Sequence, residues 1–213
     1  MFKIEYQHLT MQVYNAVKTM IVQDVLHPGQ KIVQEEIAQQ LGVSRTPLLS
    51  ALSKLEQEGL IETIPRRGAF VKKYSTKELI NLYNIRIRLE TLGAKEAAKN
   101  ADKEHIKILE TYLKSFDKAI KEKNSTAYRE TDYQFHLAIM EASGNSFLHS
   151  MVASSNVILI CNVKGILKPL EQSYKEHVDI VNAIKTGDEK KAEELMAFHL
   201  EDSKSHINSI SQE

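Results

Sequence analysis

The sequence predicts a mainly α protein: an N-terminal winged helix-turn-helix followed by an antiparallel six-helix bundle. Three observations carry that expectation. Among only four prolines and eight glycines, Pro28, Gly29, Gly42, Pro47, Gly59, Pro65 and Gly68 crowd into the first 70 residues, where they punctuate short elements. Beyond Lys73, apolar residues recur at helical spacing with short breaks, the pattern of an up-and-down bundle. Between these regions, Leu60–Thr63 and Ala69–Lys73 read as two strands around Pro65-Arg66-Arg67-Gly68.

The first helix is expected from about Tyr6 to Leu26, with Leu9, Val13, Ala16, Val17 and Met20 on one stripe and His27-Pro28-Gly29 ending it. A short helix follows at about Glu35–Leu41, broken at Gly42-Val43. A third begins at Ser44 or Thr46, both competent caps, tolerates Pro47 in its first turn and runs to Gly59. With the hairpin these make a winged helix-turn-helix over residues 1–74. Residues 75–213 read as six helices. They start at Ser75/Thr76, Asp102, Ser125, Ser146 (a less regular helix to Ile166), Lys168-Pro169 and after Gly187-Asp188.

Composition excludes several classes. Twenty-eight Lys+Arg balance 28 Asp+Glu, so net charge points to neither a nucleic acid nor a membrane surface. A single cysteine excludes an internal disulfide framework. The longest apolar stretches, such as Val157–Cys161, fall far below the ~20 residues of a membrane helix. A cytoplasmic chain is the expectation.

The corner Leu41-Gly42-Val43-Ser44-Arg45-Thr46-Pro47 would deliver the first turn of the third helix to a DNA major groove. Arg45 can donate two hydrogen bonds to guanine O6 and N7, while Ser44, Thr46 and the free N–H groups of that turn suit phosphates. The hairpin carries Arg66, Arg67, Lys72 and Lys73 with no acid between Glu62 and Tyr74, and its Arg67-Gly68 tip could enter a minor groove. The competing readings are a solvated helix-start arginine and an exposed basic hairpin. Domain charge decides little, with nine Lys/Arg against seven Asp/Glu in residues 1–74.

In the second domain Asp132 and His136 stand four apart, on a helix face shared with Tyr128, Phe135, Ile139 and Met140. His177 lies on the stripe Leu170, Tyr174, Val178, Val181, Ile184, and His199 on Ala192, Leu195, Met196. A bundle can converge such inward side chains, and three imidazoles with one carboxylate suit Zn²⁺, or Ni²⁺ or Mn²⁺ where further oxygens complete the shell. The other histidines, His206 included, lack a partner at metal spacing. For each ligand candidate alone, a satisfied core residue is the competing reading.

The order Leu41–Pro47, then Leu55-Glu56-Gln57-Glu58-Gly59-Leu60-Ile61, then Pro65-Arg66-Arg67-Gly68-Ala69-Phe70-Val71 resembles the GntR family of bacterial transcription regulators. One departure stands out: Leu48-Leu49-Ser50 occupies the place where the family usually has an arginine, so operator sequence or affinity is expected to differ. The second domain resembles the FCD ligand-binding domain of the FadR subfamily through Arg86-Ile87-Arg88-Leu89-Glu90, Asp132-Tyr133-Gln134-Phe135-His136, Ser143-Gly144-Asn145, Glu176-His177 and His199-Leu200. That resemblance implies a divalent metal on Asp132, His136, His177 and His199, helping to hold a small carboxylate effector. It also places Arg86 toward the cavity, where it could pair with the carboxylate; an ion pair with Glu90 one turn away is the alternative. The implied function is a homodimeric, effector-controlled regulator of double-stranded operator DNA, read as a repressor. Two rivals stand beside it: an effector-independent DNA binder with a purely structural metal, and a metal-dependent hydrolase. The second lacks any His-Glu-x-x-His, Gly-x-Ser-x-Gly or phosphate-cradling loop.

Overall fold

The computed structural model describes residues 7–163 and 168–210, which pack as two units divided between Lys73 and Tyr74. The first unit runs α1 (Gln7–Val22), β1 (Lys31–Ile32), α2 (Gln34–Leu41), α3 (Arg45–Gln57), β2 (Ile61–Ile64) and β3 (Gly68–Val71). Helix α1 is shorter than its periodicity suggested; the expected start at Tyr6 lies outside the described residues. Asp24 adopts φ 60, the N–H groups of Val25 and Leu26 both return to the Met20 carbonyl, and Leu26 drops into the core at 3% exposure. The buried face of α1 is also rotated from the expected stripe: Val13, Tyr14, Val17 and Ile21 are buried, while Leu9 is exposed.

Gly42 closes α2 in the left-handed region at φ 64, where a side chain would be strained, and its N–H bonds to Ala38 and Gln39 carbonyls. That turn sets α3 on its way. Ser44 is the residue before α3, yet its hydroxyl makes no capping bond. Leu48, Ala51, Leu52 and Leu55 of α3 pack into the core. The expected hairpin is present as β2–β3, with Thr63 opposite Ala69 and the tip closed by Arg67 N–H to Ile64 O at 3.0 Å. A third strand was not expected: β1 pairs antiparallel with β3, Ile32 opposite Ala69, giving the order β1-β3-β2.

The second unit contains seven helices among the described residues: α4 (Thr76–Asn100), α5 (Lys103–Lys121), α6 (Ser125–Ala142), α7 (Ser146–Ser155), α8 (Val157–Val163), α9 (Leu170–Thr186) and α10 (Glu189–Ile210). The expected six become seven because Asn156, at φ 51, splits the irregular fourth helix into α7 and α8. The remainder of that helix as expected, to Ile166, lies outside the described residues. Capping is local and legible. Ser75 and Glu78 form a capping box on α4, and Asp102 accepts the Glu104 and His105 N–H groups. On α6 it is Asn124, not Ser125, that accepts from Ala127 N–H at 2.9 Å.

The core of this unit joins Leu109 and Phe116 of α5 to Tyr128, Phe135 and Ile139 of α6, with Ile180 of α9 and Met196 and Leu200 of α10 also buried. Gly93 lets α4 approach α6 closely, since a Cβ there would lie 2.2 Å from Met140 Cε. That compactness brings the inward faces of α4, α6, α9 and α10 to one point.

Candidate metal centre and nucleic-acid interface

Helix α3 offers its first turn to solvent: Ser44, Arg45 and Thr46 are all exposed. Arg45 Nη1 stands 3.4 Å from Glu35 Oε1, an exposed pair of the kind worth at most about 1 kcal/mol, less than the ~1–3 kcal/mol of a bidentate guanine contact. Glu35 therefore holds Arg45 without competing seriously with a base. At the hairpin tip Arg66 and Arg67 are exposed, Arg66 at φ 63, and Gly68 begins β3 at φ 100.

The interior of the second unit is more specific. Asp132 and His136 come from α6, His177 from α9 and His199 from α10, and all four are buried. One donor atom from each lies within 4.8 Å of the others. His177 Nε2 is 3.3 Å from His199 Nε2 and 3.4 Å from Asp132 Oδ1, and His136 Nε2 is 3.7 Å from the same oxygen. Donors bound to one ion at about 2.0–2.2 Å lie roughly 3–4 Å apart, so these separations need little change to close on a metal.

Orientation supports the fit. His136 Nδ1 faces Glu90 Oε2 at 2.5 Å and His199 Nδ1 faces Glu176 Oε2 at 2.7 Å. A carboxylate at Nδ1 keeps a proton there, so in both rings it is Nε2 that turns toward the shared point. Asn162 Nδ2 donates to Asp132 Oδ2 at 2.6 Å, freeing Oδ1 toward the histidines. His177 is held by packing instead, its ring 4.6 Å from the Phe116 centroid and 4.7 Å from that of Phe135. Its Nδ1 has no hydrogen-bond partner among the described residues.

Burial pushes His177 and His199 well below the ordinary histidine range, helped next by the charge of His199 in the first case and of Lys168 in the second, so both are neutral and able to coordinate. Burial acts the same way on His136, but the Glu90 and Asp132 carboxylates overrule it and raise this histidine to about 9. Glu90 is held down to about 2 against its burial by Arg86 and His136.

These shifts set a pH dependence. A divalent ion taking the Nε2 of His136 must displace its proton at every pH below about 9. Apparent metal affinity is therefore expected to rise about tenfold per pH unit between pH 6 and 8 and to flatten above 9. Calorimetric titration in buffers of different ionisation enthalpy should report close to one proton released per ion; release of none would mean His136 is neutral or does not bind.

Arg86 combines both placements that its sequence position allowed. Its Nε donates to Glu90 Oε1 at 2.6 Å, both side chains fully buried, and it also lines a small cavity beside Asp132 and His199. Tyr83, Lys168 and Ser173 complete much of the wall. The cavity leaves about 20 Å³ for the centre of a water molecule, room for one or two waters.

Several residues of this region were not singled out in the sequence. Glu90 was read only as a partner of Arg86, yet it also orients His136. Glu176 orients His199 and pairs with Lys168, whose Nζ also donates to the His199 carbonyl at 3.0 Å and reaches Asp202 at 3.1 Å. The available signal was an amide, Asn162, in the otherwise apolar run Val157–Val163, and an acid directly before His177.

Comparison with known proteins bears on this architecture. Residues 9–71 match the family of bacterial regulatory proteins, gntR family, and residues 81–202 match the FCD domain. The chain belongs to the GntR family, with an FCD domain. Like other GntR regulators it is a DNA-binding transcription regulator, and the hydrolase reading is set aside. The chain is 28% identical to the HTH-type transcriptional regulator YdhC of Bacillus subtilis (strain 168), over 95% of this chain and 92% of that one. It is 26% identical to the HTH-type transcriptional repressor RspR of Escherichia coli (strain K12), over 97% and 92%. The structure of E. coli McbR/YncC superposes with a TM-score of 0.83 at 21% identity, covering 95% of this chain and 98% of that one, which establishes the shared fold. No helix among the described residues of this GntR regulator is long and apolar enough to cross a membrane.

Proposed function

We propose that this GntR regulator is a homodimeric, cytoplasmic repressor whose operator affinity is set by a small carboxylate bound beside a divalent metal. The observation that carries the reading is the buried Asp132/His136/His177/His199 cluster adjoining a cavity that Arg86 also lines. The metal is Zn²⁺ by donor type, with Ni²⁺ or Mn²⁺ as alternatives. When bound it supplies a Lewis-acidic positive charge facing the cavity. Arg86 supplies a second one, and Lys168 closes the wall. With so little free volume, a carboxylate enters by displacing water and moving side chains that span α4, α9 and α10, and that motion is the means of coupling.

In the DNA-binding unit, residues 1–74, Arg45 reads guanine and Ser44, Thr46 and the first-turn amides of α3 hold phosphates. Arg66, Arg67 and Gly68 form the wing tip in the minor groove. Residues 75–213 bind metal and effector and dimerise. Dimerisation is supported by apolar side chains left outside: Ile85 and Leu92 on α4, and Phe147 and Met151 on α7, are 41–86% exposed, and α4 packs against α7.

The test is an operator titration. A duplex enriched by the full-length protein from a randomised pool is bound with and without Zn²⁺ while small carboxylates are screened. One of them is expected to change the operator Kd by about tenfold, within the usual range of allosteric coupling, and only in the metal-loaded protein. A second reading rests on the closed four-ligand set, which is the form of a structural site. It predicts that chelation melts the bundle and that no carboxylate changes DNA affinity.

A further inference from the structure

Helix α3 carries one side chain at odds with its chemistry. The helix satisfies its apolar periodicity inward, with Leu48, Leu52 and Leu55 exposed by 4% or less. Leu49 lies off that stripe and is 47% exposed. An isolated surface leucine needs no explanation; its position does. It follows Arg45 by four residues, so the two share the exposed face that also holds Thr46, Ser50 and Ser53. Ser50 is partly committed, its hydroxyl donating to the Thr46 carbonyl at 3.2 Å. The face thus presents a guanidinium fork and, one turn on, an apolar end.

In the major groove, thymine is the one base that displays a methyl group, while guanine, adenine and cytosine edges present polar groups. Leucine has neither donor nor acceptor, so against those edges it would strip water without replacing the lost hydrogen bonds. Against a thymine methyl both partners gain by losing water. The four residues from Arg45 to Leu49 advance about 6 Å along the helix and successive base pairs about 3.4 Å, which keeps the two contacts close on the DNA. We infer that Leu49 reads the 5-methyl group of a thymine lying within one or two base pairs of the guanine read by Arg45. This rests on the assignment of α3 as the reading helix.

The experiment uses the full-length protein and the duplex it enriches from a randomised pool. Each thymine is replaced singly by deoxyuridine, which removes the methyl and nothing else. One replacement per half-site is expected to weaken wild-type binding about three- to tenfold, the range for one buried methyl. At the same position 5-methylcytosine should bind better than cytosine by a similar factor. Leu49→Ala, at an exposed site and with unchanged circular dichroism, should bind the thymine and deoxyuridine duplexes equally. The inference is overturned if no deoxyuridine replacement changes wild-type affinity by about twofold or more, or if Leu49→Ala keeps the same discrimination. Arg45→Ala separates this failure from that of the α3 assignment. If it leaves affinity for the enriched duplex unchanged, α3 is not the reading helix and both readings fall. If it weakens binding while the methyl has no effect, only the role of Leu49 is lost.

Discussion

Replacing His177 by alanine should take the protein from about one bound divalent ion per chain to none, measured by inductively coupled plasma mass spectrometry on untagged protein. The residue sits at the middle of the donor set, 3.3 Å from His199 Nε2 and 3.4 Å from Asp132 Oδ1, so its removal opens the shell rather than trimming one edge. An ion present at a few hundred to a thousand times its Kd stabilises the folded state by about 3–4 kcal/mol. For a helical unit of this size that corresponds to roughly 10 °C in Tm. Wild type treated with a chelator isolates this contribution, because the mutant also loses the ring packed between Phe116 and Phe135. Wild-type protein that carries no ion and gains no Tm from added Zn²⁺ would return the three histidines to the status of core residues.

Arg86→Met should be of comparable size through a different cause. Glu90 is fully buried and keeps its charge because Arg86 and His136 face it. Removing Arg86 leaves His136 as the remaining charged partner facing the buried Glu90, and breaking such a buried pair costs about 3–5 kcal/mol. The Tm of the bundle should fall by about 6–20 °C, on the usual conversion of about 2–4 °C per kcal/mol. Arg86→Met with Glu90→Gln should recover much of that loss, since no buried charge is then orphaned. It should not recover metal affinity, because replacing the carboxylate partner at His136 Nδ1 by a neutral amide weakens the support of that ligand, and changes of such outer-shell partners typically cost about 10–100-fold. If the single variant keeps its Tm and loses only the effector response, Arg86 acts on the ligand alone.

Much of the fold and the ligand cluster was legible because the controlling interactions are local. Caps at Ser75 and Asp102, the left-handed Gly42 and Gly187, and the inward stripes carrying His136, His177 and His199 are all set by neighbours within a turn or two. What escaped depends on distant partners. Strand β1 is two residues long and exists because β3 pairs with it; nothing within Lys31-Ile32 itself demands a strand. Lys168 reads as a residue ahead of a proline until α10 supplies the His199 carbonyl and Asp202. Glu90 has one partner in its own helix and one in α6, and only the first was visible from spacing.

Drawing the metal donors from α6, α9 and α10 makes a bound ion a removable cross-link between segments far apart in the sequence. Such a link can form only after the three helices have come into register, so it adds to the native state and little to the folding transition state. Interactions of that kind slow unfolding and leave the folding rate nearly untouched. The loaded regulator should therefore outlast the metal-free form under proteolysis, and its lifetime in the cell would follow the supply of the ion.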